Sequence, residues 1–410
     1  MKYIVVLGDG MSDYPIEELD NKTPLQYAHT PAMDYLAQRG SIGMVKTIPD
    51  DMPPGSDTAN LSVLGYDPKK YYSGRSPFEA ASMGIEMGDD DISFRCNLVT
   101  LSDDPNYEDK TMIDHSSDEI SSQEAVELIK DVNRLLGNDV IKFYPGVSYR
   151  HVMIWNDGPY KWQLTPPHDI LGQRIGGYMP RGEGSQTISS MMKKSVEFLD
   201  NHPINRQRRA RGLKPANSIW VWGEGKRPRL PSFFDKYGVK GSVISAVDLI
   251  KGIGLCAGLK PLDVEGATGN IHTNYSGKAQ AALDALLKDG QDFVYIHVEA
   301  PDECGHRHEI QNKVKSIELI DKEIIGRIIA EMDKAGVQYK IMVLPDHPTP
   351  LSIRTHTREA VPFLIYRSGH EKIKPGQVYD EAAAQRSGLV IEEGYRLMDC
   401  FLKDKNYEEV

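Results

Sequence analysis

The sequence has few cysteines, no long apolar run and no excess of positive charge. Its four cysteines, at positions 96, 256, 304 and 400, lie far apart and form no CxxC pair. This argues against a disulfide framework or a structural zinc site and predicts a reduced, cytoplasmic environment. No segment reaches the roughly 18 apolar residues of a membrane span. The opening MKYIVVLGDG has only a short apolar run, which predicts a first β-strand and not a signal peptide.

The charge balance excludes further classes of partner. A formal net charge of -11 argues against nucleic acid or an anionic membrane surface, because both require a basic face. If the ligand is a small anion, positive charge must come from metal ions or from clustered arginines. The basic run NRQRRARGLKP at 205–215 is predicted to be a solvated helix face, as charge runs usually are.

Strand-length apolar runs alternate with amphipathic helical segments along much of the chain. Such alternation predicts an α/β fold in which helices flank a buried, mostly parallel sheet. The length of 410 residues exceeds what one hydrophobic core supports, so a second domain or a large insertion is expected. The predicted strands are YIVVL (3–7), IWVW (219–222), SVISA (242–246), FVYIHV (293–298), YKIMVL (339–344) and FLIY (363–366).

The middle of the chain has a different pattern. It contains polar alternation around ISFRCNLVTL and the Pro- and Gly-rich stretch LTPPHDILGQRIGGYMPRGEG. We therefore predict a smaller inserted α+β domain at 76–215, which interrupts a core formed by 1–75 and 216–410.

Acids and histidines follow three of the predicted core strands. In open α/β sheets ligands bind beyond the carboxyl ends of the strands, so these side chains are candidate ligands. A single acid there could equally be a helix N-cap, but three strands with the same feature indicate a shared site. Asp302 and His306 are four apart, which on a helix places both on one face. The candidates are Asp9, Asp302, His306, Asp346, His347 and the later His356.

The donor types indicate which ions would bind. Carboxylates and imidazoles without thiolates suit manganese, zinc or magnesium. Six such ligands are too many for one ion and about right for two. A two-metal site can activate an oxygen nucleophile and neutralise an incoming phosphoryl group. His297, inside a predicted strand, is expected to be a core or supporting residue.

Ser56 lies where a loop ends and a helix is predicted to begin, in DDMPPGSDTANLSVLGYDP (50–68). A serine there is usually an N-cap, although the free N–H groups of a helix start also bind anions. Beside two metal ions the hydroxyl could instead attack phosphorus. The strand-end acids and histidines favour Ser56 as the nucleophile.

Several motifs resemble those of one known family. LGDGMSD, PPGSDTANLSVLGYDP, GRSPFEA, FRCNLVT, EAPDECGH and LPDHPTPLSIRTHT are similar to motifs of the archaeal-type cofactor-independent phosphoglycerate mutases of the alkaline phosphatase superfamily. The resemblance implies a phosphatase-like core with two metal ions, a serine nucleophile that becomes phosphoserine, and an inserted domain that closes over the substrate. It implies an isomerase of glycolysis that acts on small phosphorylated metabolites without 2,3-bisphosphoglycerate.

The resemblance also assigns residues. It implies one ion, most often manganese, held by Asp9, Ser56, Asp346 and His347, and another held by Asp302, His306 and His356. Arg95 and Arg150 lie in matching stretches and would contact the substrate, since the arginine fork binds phosphate or carboxylate bidentately; the alternative is an ordinary ion pair.

The chain departs from the family in one segment. Where those mutases commonly have an Arg-Ala-Gly-containing segment before ISTEEA, this chain has MIDHSSDEISSQEA. Either His115 replaces the missing substrate contact or the acceptor pocket differs.

Four alternative functions remain at this stage. EAPDECGH and LPDHPTPLSIRTHT also resemble a bacterial branch proposed to act as homoserine kinase, which would pass a phosphoryl group from ATP to homoserine. A phosphatase of small esters is another possibility. An aspartyl mechanism of the haloacid dehalogenase type is disfavoured, because Met11 stands where a second aspartate is needed. A catalytically dead metal-binding protein could have lost Ser56, and this chain keeps it.

Overall fold

The computed structural model describes residues 1–371 and 373–404. They form two compact units, 1–72 with 229–371 and 373–404, and 73–228. Lys372 and 405–410, which the predicted core range includes, lie outside the described residues.

The larger unit is built on an eight-stranded sheet in which five of the seven neighbouring pairs are parallel. This confirms the predicted α/β fold with a mostly parallel sheet. The strands, in spatial order, are Lys260–Pro261, Gly241–Ile244, Phe293–Val298, Lys2–Gly8, Tyr339–Leu344, Val361–Arg367, Ser41–Val45 and Val390–Ile391.

Helices bury both faces of this sheet. Ile4 and Val6 share a core with Met33 and Ile324, while Val5, which points to the opposite face, is also fully buried. The α-helices are Pro24–Tyr27, Pro31–Ala37, Ser56–Val63, Pro68–Tyr71, Phe233–Tyr237, Asp248–Cys256, Tyr275–Leu287, Ala300–Arg307, Ile310–Leu319, Arg327–Lys334, Glu381–Arg386 and Leu397–Lys403. Short 3₁₀ turns lie at Glu17–Leu19 and Gly394–Arg396, and a π-helical segment at Ile320–Gly326.

The smaller unit is an antiparallel α+β structure. Its long strand Ile92–Leu101 pairs with three others, at Met112–Asp114, Arg150–Trp155 and Ser218–Lys226. The remaining strands are Ile141–Tyr144, Trp162–Gln163 and Arg181–Gly182. The helices are Ser76–Ser82, Ser122–Leu136, Ser185–Leu199 and Pro203–Ala210, with 3₁₀ turns at Tyr107–Asp109, Pro167–Ile170 and Ile175–Tyr178.

One predicted strand lies in a different unit from the one expected. The run IWVW at 219–222 was assigned to the parallel core, but in the structure it pairs antiparallel with Ile92–Leu101 in the smaller unit. The smaller unit therefore spans Ser73–Pro228, where the sequence predicted 76–215. Among the described residues, no helix combines the length and apolarity needed to cross a bilayer.

Asp321 in the π-helical segment caps a neighbouring helix. Its carboxylate accepts the N–H groups of Met33, at 2.7 Å, and Ala32, at 3.2 Å, in the first turn of Pro31–Ala37. The side chain is buried at 1% exposure. Burial raises the pKa of Asp321 to about 6, although the two N–H groups oppose that rise.

We expect Asp321→Asn to remove a pH dependence of stability. Folding raises the pKa of Asp321 from 3.8 to about 6. As the pH rises through this range, the carboxyl group loses its proton more readily in the unfolded chain than in the folded protein. The contribution of Asp321 to the free energy of unfolding therefore falls through this range and is lost above it. The loss amounts to about 3 kcal/mol. Urea unfolding between about pH 4 and pH 8 should show the variant gaining that amount relative to the wild type. A difference that does not change with pH would contradict this assignment.

Candidate active site

Three carboxylates meet at the carboxyl edge of the large sheet. Asp9, Asp302 and Asp346 are all buried, with at most 4% exposure. Each follows a strand, and parallel neighbours end at the same edge. Asp9 follows Lys2–Gly8, Asp302 follows Phe293–Val298 and Asp346 follows Tyr339–Leu344. The first of these strands is hydrogen-bonded to both of the others.

Gly10 allows the first of these loops to approach the others. Its φ of +60° is left-handed, and a Cβ there would lie 2.8 Å from the Asp302 Cα. The Gly10 N–H donates to Asp346 Oδ1 at 3.1 Å. The Gly-Asp-Gly sequence is therefore required by close packing of the carboxylate loops.

Ser56 is not a helix cap. Gly55 occupies the N-cap position of Ser56–Val63, and in the first turn the Asp57 carboxylate accepts the Thr58 N–H at 2.8 Å. The half-buried Ser56 hydroxyl instead lies 3.1 Å from His347 Nε2. The hydroxyl thus points toward the strand-end histidine.

All seven predicted ligand positions lie in one connected cluster. His347 Nε2 is 3.5 Å from Asp9 Oδ1 and 3.4 Å from Asp346 Oδ2, and its ring centroid is 4.1 Å from that of His356. The described part of the chain contains three sets of three residues whose ligand atoms, within each set, all lie within 4.8 Å of one another. The sets are Asp9–Asp346–His347, Asp302–His347–His356 and Asp9–His297–Glu299.

Two histidines lie beside the Asp302 carboxylate. His306 Nε2 is 3.3 Å from its Oδ2, and His356 Nε2 is 3.3 Å from its Oδ1. Burial alone would raise the pKa of Asp302, but the two imidazoles outweigh burial and hold that pKa well below its usual range. The His306 Nδ1 lies 3.0 Å from the carbonyl of Arg354, which leaves Nε2 directed into the site.

Asp9 is the carboxylate that most needs a cation. Burial, followed by the charges of Asp346, Asp302 and Glu299, raises the pKa of Asp9 well above its ordinary value. Its Oδ1 is buried without a hydrogen-bond partner, while its Oδ2 lies 2.9 Å from His297 Nε2. An uncompensated carboxylate oxygen amid oxygen and imidazole donors fits a hard divalent ion.

Sequence reasoning missed several supporting residues. Asn60 donates to Asp346 Oδ2 at 2.9 Å and accepts from the Tyr295 hydroxyl at 2.6 Å. Thr349 donates to Asp302 Oδ1 at 2.5 Å. Asn60 could have been found, because it is four residues after Ser56 on one helix. Thr349 carried no comparable signal.

A buried ion pair links two of the site loops. Lys313 Nζ is 2.7 Å from Asp13 Oδ2 and 2.9 Å from the Thr349 carbonyl, and the Asp13 carboxylate also accepts the Leu351 N–H. The Lys313 and Asp13 side chains are 0% and 1% exposed. This pair joins the loop after the first strand to the loop that carries Asp346.

Lys313→Met is expected to destabilise the protein by about 3 to 5 kcal/mol, because it leaves the Asp13 carboxylate buried and unpaired. Equilibrium urea unfolding measures the loss. Lys315→Met, which alters an exposed pair with Glu318, should cost less than about 0.5 kcal/mol. Similar decreases in the free energy of unfolding in the two variants would show that the buried Lys313–Asp13 pair contributes no more to stability than the exposed Lys315–Glu318 pair.

The three predicted substrate contacts lie in the smaller unit. Arg95 and Arg150 lie on adjacent antiparallel strands, where Arg95 pairs with Val152 and Asn97 with Arg150. This register places both arginines on one face of the sheet. Asn97 donates to the His115 carbonyl at 3.1 Å, so His115 is tied to the same strand.

Aromatic contacts join these residues into a continuous cluster. Arg150 lies over the Tyr149 ring at 5.2 Å, and that ring contacts His115 at 5.6 Å. His168 contacts His115 at 6.0 Å and Trp222 at 5.4 Å, and Arg95 lies over Trp222 at 4.3 Å. We call these six residues the aromatic–basic cluster. The sequence had not singled out Tyr149, His168 or Trp222.

One carboxylate partly balances this cluster. Glu79 binds Arg95 Nε at 3.0 Å and also Arg75 Nε at 3.0 Å. The ion-pair alternative considered for Arg95 is therefore present, and Glu79 also binds a second guanidinium group.

Comparison with known proteins identifies relatives over almost the whole chain. The family model for 2,3-bisphosphoglycerate-independent phosphoglycerate mutase matches residues 37–205. A Geobacter sulfurreducens protein named "Probable 2,3-bisphosphoglycerate-independent phosphoglycerate mutase" is 53% identical over 98% of this chain and 100% of its own. A Methanosarcina barkeri protein named 2,3-bisphosphoglycerate-independent phosphoglycerate mutase is 48% identical over 99% of this chain and 100% of its own.

A solved structure extends the likeness to the fold. A Pyrococcus horikoshii protein superposes with a TM-score of 0.81 at 30% identity, covering 99% of this chain and 98% of that one. Identity near one half over full length confirms the family that the motifs predicted. The chain belongs to the 2,3-bisphosphoglycerate-independent phosphoglycerate mutases.

Proposed function

We propose that this protein interconverts 3-phosphoglycerate and 2-phosphoglycerate through a phosphoserine at Ser56. The observation that carries the proposal is the position of the Ser56 hydroxyl, which is not the N-cap of its helix and lies 3.1 Å from His347 Nε2. The mutase names of the full-length relatives support the substrate. The four cysteines lie far apart in the sequence and form no CxxC pair, which supports a cytoplasmic location.

The site would hold two divalent ions, with manganese preferred. Asp9, Ser56, Asp346 and His347 would hold one, and Asp302, His306 and His356 the other. When bound, the ions would act as Lewis acids and neutralise the charge of the phosphoryl group. The unpartnered Asp9 Oδ1 and the imidazole and carboxylate donors around it support this assignment.

The chemical steps involve the serine and the two hydroxyl oxygens of glycerate. Ser56 Oγ forms a bond to phosphorus as the bond from phosphorus to the C3 oxygen breaks, and glycerate regains a hydroxyl. The C2 oxygen then takes the phosphoryl group back from Ser56 Oγ. No other reactant is consumed, so the substrate is rearranged and not hydrolysed.

The smaller unit would supply substrate contacts and exclude water. Arg95 and Arg150 are proposed to bind the carboxylate or phosphate of the substrate bidentately, with His115 completing the contact. Exclusion of water is essential, because hydrolysis of the phosphoserine would make the enzyme a phosphatase. The unit at Ser73–Pro228 is the proposed lid.

The test compares two reactions of manganese-supplied protein by phosphorus NMR. One sample contains 3-phosphoglycerate, and the other contains ATP and homoserine. Formation of 2-phosphoglycerate without free phosphate supports the mutase. Formation of an O-phosphorylated amino acid in the second sample alone would assign the protein to homoserine phosphorylation, and free phosphate alone would make it a phosphatase.

A further inference from the structure

The basic run at 205–215 is largely exposed, as predicted, but Asn205 and Arg208 are buried and several of its charged side chains are ion-paired. Arg208, in the helix Pro203–Ala210, is only 2% exposed. Its guanidinium donates to Glu124 at 2.7 Å and to the Lys214 carbonyl at 2.9 Å. Arg211 also pairs with Glu124. Residues of the run therefore bind other parts of the smaller unit.

One of these parts is a strained turn. Ser117, Asp118 and Glu119 have φ values of +51°, +54° and +48°. Residues with a Cβ rarely adopt this left-handed conformation, and then usually singly. Three in succession, none a glycine, persist only if the surrounding structure holds them.

Two residues of the basic run hold the turn. Arg208 donates to the Ser117 carbonyl at 2.5 Å. Lys214 Nζ lies 2.7 Å from Asp114 Oδ2 and 2.9 Å from Asp118 Oδ1. The backbone N–H of Lys214 donates to Asp118 Oδ2 at 2.7 Å. Burial would raise the pKa of Asp114, but the Lys214 ammonium and Ser116 hold it well below its usual range.

The turn begins two residues after His115 of the aromatic–basic cluster. Asp114, on the other side of His115, is bound by Lys214, so the histidine lies between two anchored segments. At the first residue of the turn, the Ser117 hydroxyl donates to the Leu98 carbonyl at 3.3 Å. The backbone of His115 is thus fixed by Lys214 and the turn together.

We propose that Arg208 and Lys214 are positioning residues, which hold the left-handed turn and thereby fix His115 against Tyr149 and His168. The proposal rests on the proposed function of His115 as a substrate contact. In this proposal, Arg208 and Lys214 affect substrate binding by fixing the backbone around His115. Their own charges do not bind the anion.

Lys214→Met tests the proposal in the full-length protein. We expect KM for 3-phosphoglycerate to rise about tenfold with kcat changed less than about twofold, because a displaced binding group weakens substrate binding. The ring resonances of His115 in the NMR spectrum should shift in the same variant. Lys214→Arg, which can keep both ion pairs, should restore KM and the resonances.

Two further variants separate positioning from general damage. Lys193 is as exposed as Lys214, at 44%, and pairs with Glu108; Lys193→Met should change neither readout. Glu119→Gly suits the left-handed position and has no Lys214 bond to lose, so adding it to Lys214→Met should recover part of the KM effect.

The outcomes distinguish this proposal from the proposed function. If Lys214→Met leaves both KM and the His115 resonances unchanged, or if Lys193→Met changes them equally, the positioning role is wrong. If the wild type does not isomerise phosphoglycerate, the proposed function fails, and the His115 resonances alone decide whether Lys214 positions that ring.

Discussion

Replacing Ser56 with alanine is expected to lower the turnover of 3-phosphoglycerate on the order of 10⁵-fold, because no other group would receive the phosphoryl group. The fold should persist. The Ser56 side chain caps no helix, and its one side-chain hydrogen bond among the described residues is the 3.1 Å contact to His347. The unfolding free energy should therefore change by less than about 1 kcal/mol.

Ser62→Ala is the matched control for that variant. Ser62 is a buried serine of the same helix, and it is not among the proposed ligands. Its replacement should leave kcat within about twofold of the wild type, since surrounding packing is nearly unchanged. Near-normal turnover by Ser56→Ala would show that another residue, or water, accepts the phosphoryl group.

Removal of divalent metal is expected to abolish activity and lower the melting temperature. Bound ions offset the repulsion among three buried carboxylates. An ion present at a hundred times its Kd stabilises the folded state by about 2.7 kcal/mol. For a unit of this size that corresponds to roughly 5 to 10 °C. Calorimetry with manganese and with a chelator measures the difference.

Two aspartate variants locate the ions. Asp9→Asn removes a buried carboxylate whose Oδ1 has no partner, so it should lose the metal-dependent shift while remaining at least as stable as the metal-free wild type. Asp104→Asn alters an exposed carboxylate of the smaller unit and should keep the full shift. Equal shifts in Asp9→Asn and the wild type would place the stabilising ions elsewhere.

The convergence of the strand-end acids could be predicted because sheet geometry determines it. Parallel strands end at one edge, so residues that follow FVYIHV and YKIMVL must lie near Asp9. The later contacts are different. His297 reaches Asp9 through the register of two neighbouring strands, in which His297 pairs with Leu7. Thr349 reaches Asp302 because separate loops fold onto one another. Neither contact can be read from spacing along the sequence.

Apolar run length indicated burial but not sheet type. IWVW at 219–222 is buried throughout, with at most 9% exposure, yet it lies in the antiparallel sheet of the smaller unit. Both kinds of strand are covered on two faces, and their sequences therefore look alike. The strand Ser41–Val45 was missed for a related reason: SIGMV is short and interrupted by Gly43, where a Cβ would lie 2.8 Å from Phe363.

Charge composition predicted the exposure of most of the basic run but not the burial of Arg208. Arg208 was expected in solvent because most charge runs are solvated, but carbonyl oxygens and Glu124 satisfy its guanidinium in the interior. One of those carbonyls, that of Ser117, belongs to a turn 91 residues earlier in the chain. Only the folded chain reveals that the arginine has such partners.

The most direct test of the central claim is peptide mapping by mass spectrometry after rapid acid quench of manganese-supplied protein turning over 3-phosphoglycerate. The account predicts a phosphoryl group on the peptide that contains Ser56, absent from Ser56→Ala and from protein treated with a chelator. Isomerisation without a phosphoryl group on Ser56, or with the group on another residue, would contradict it.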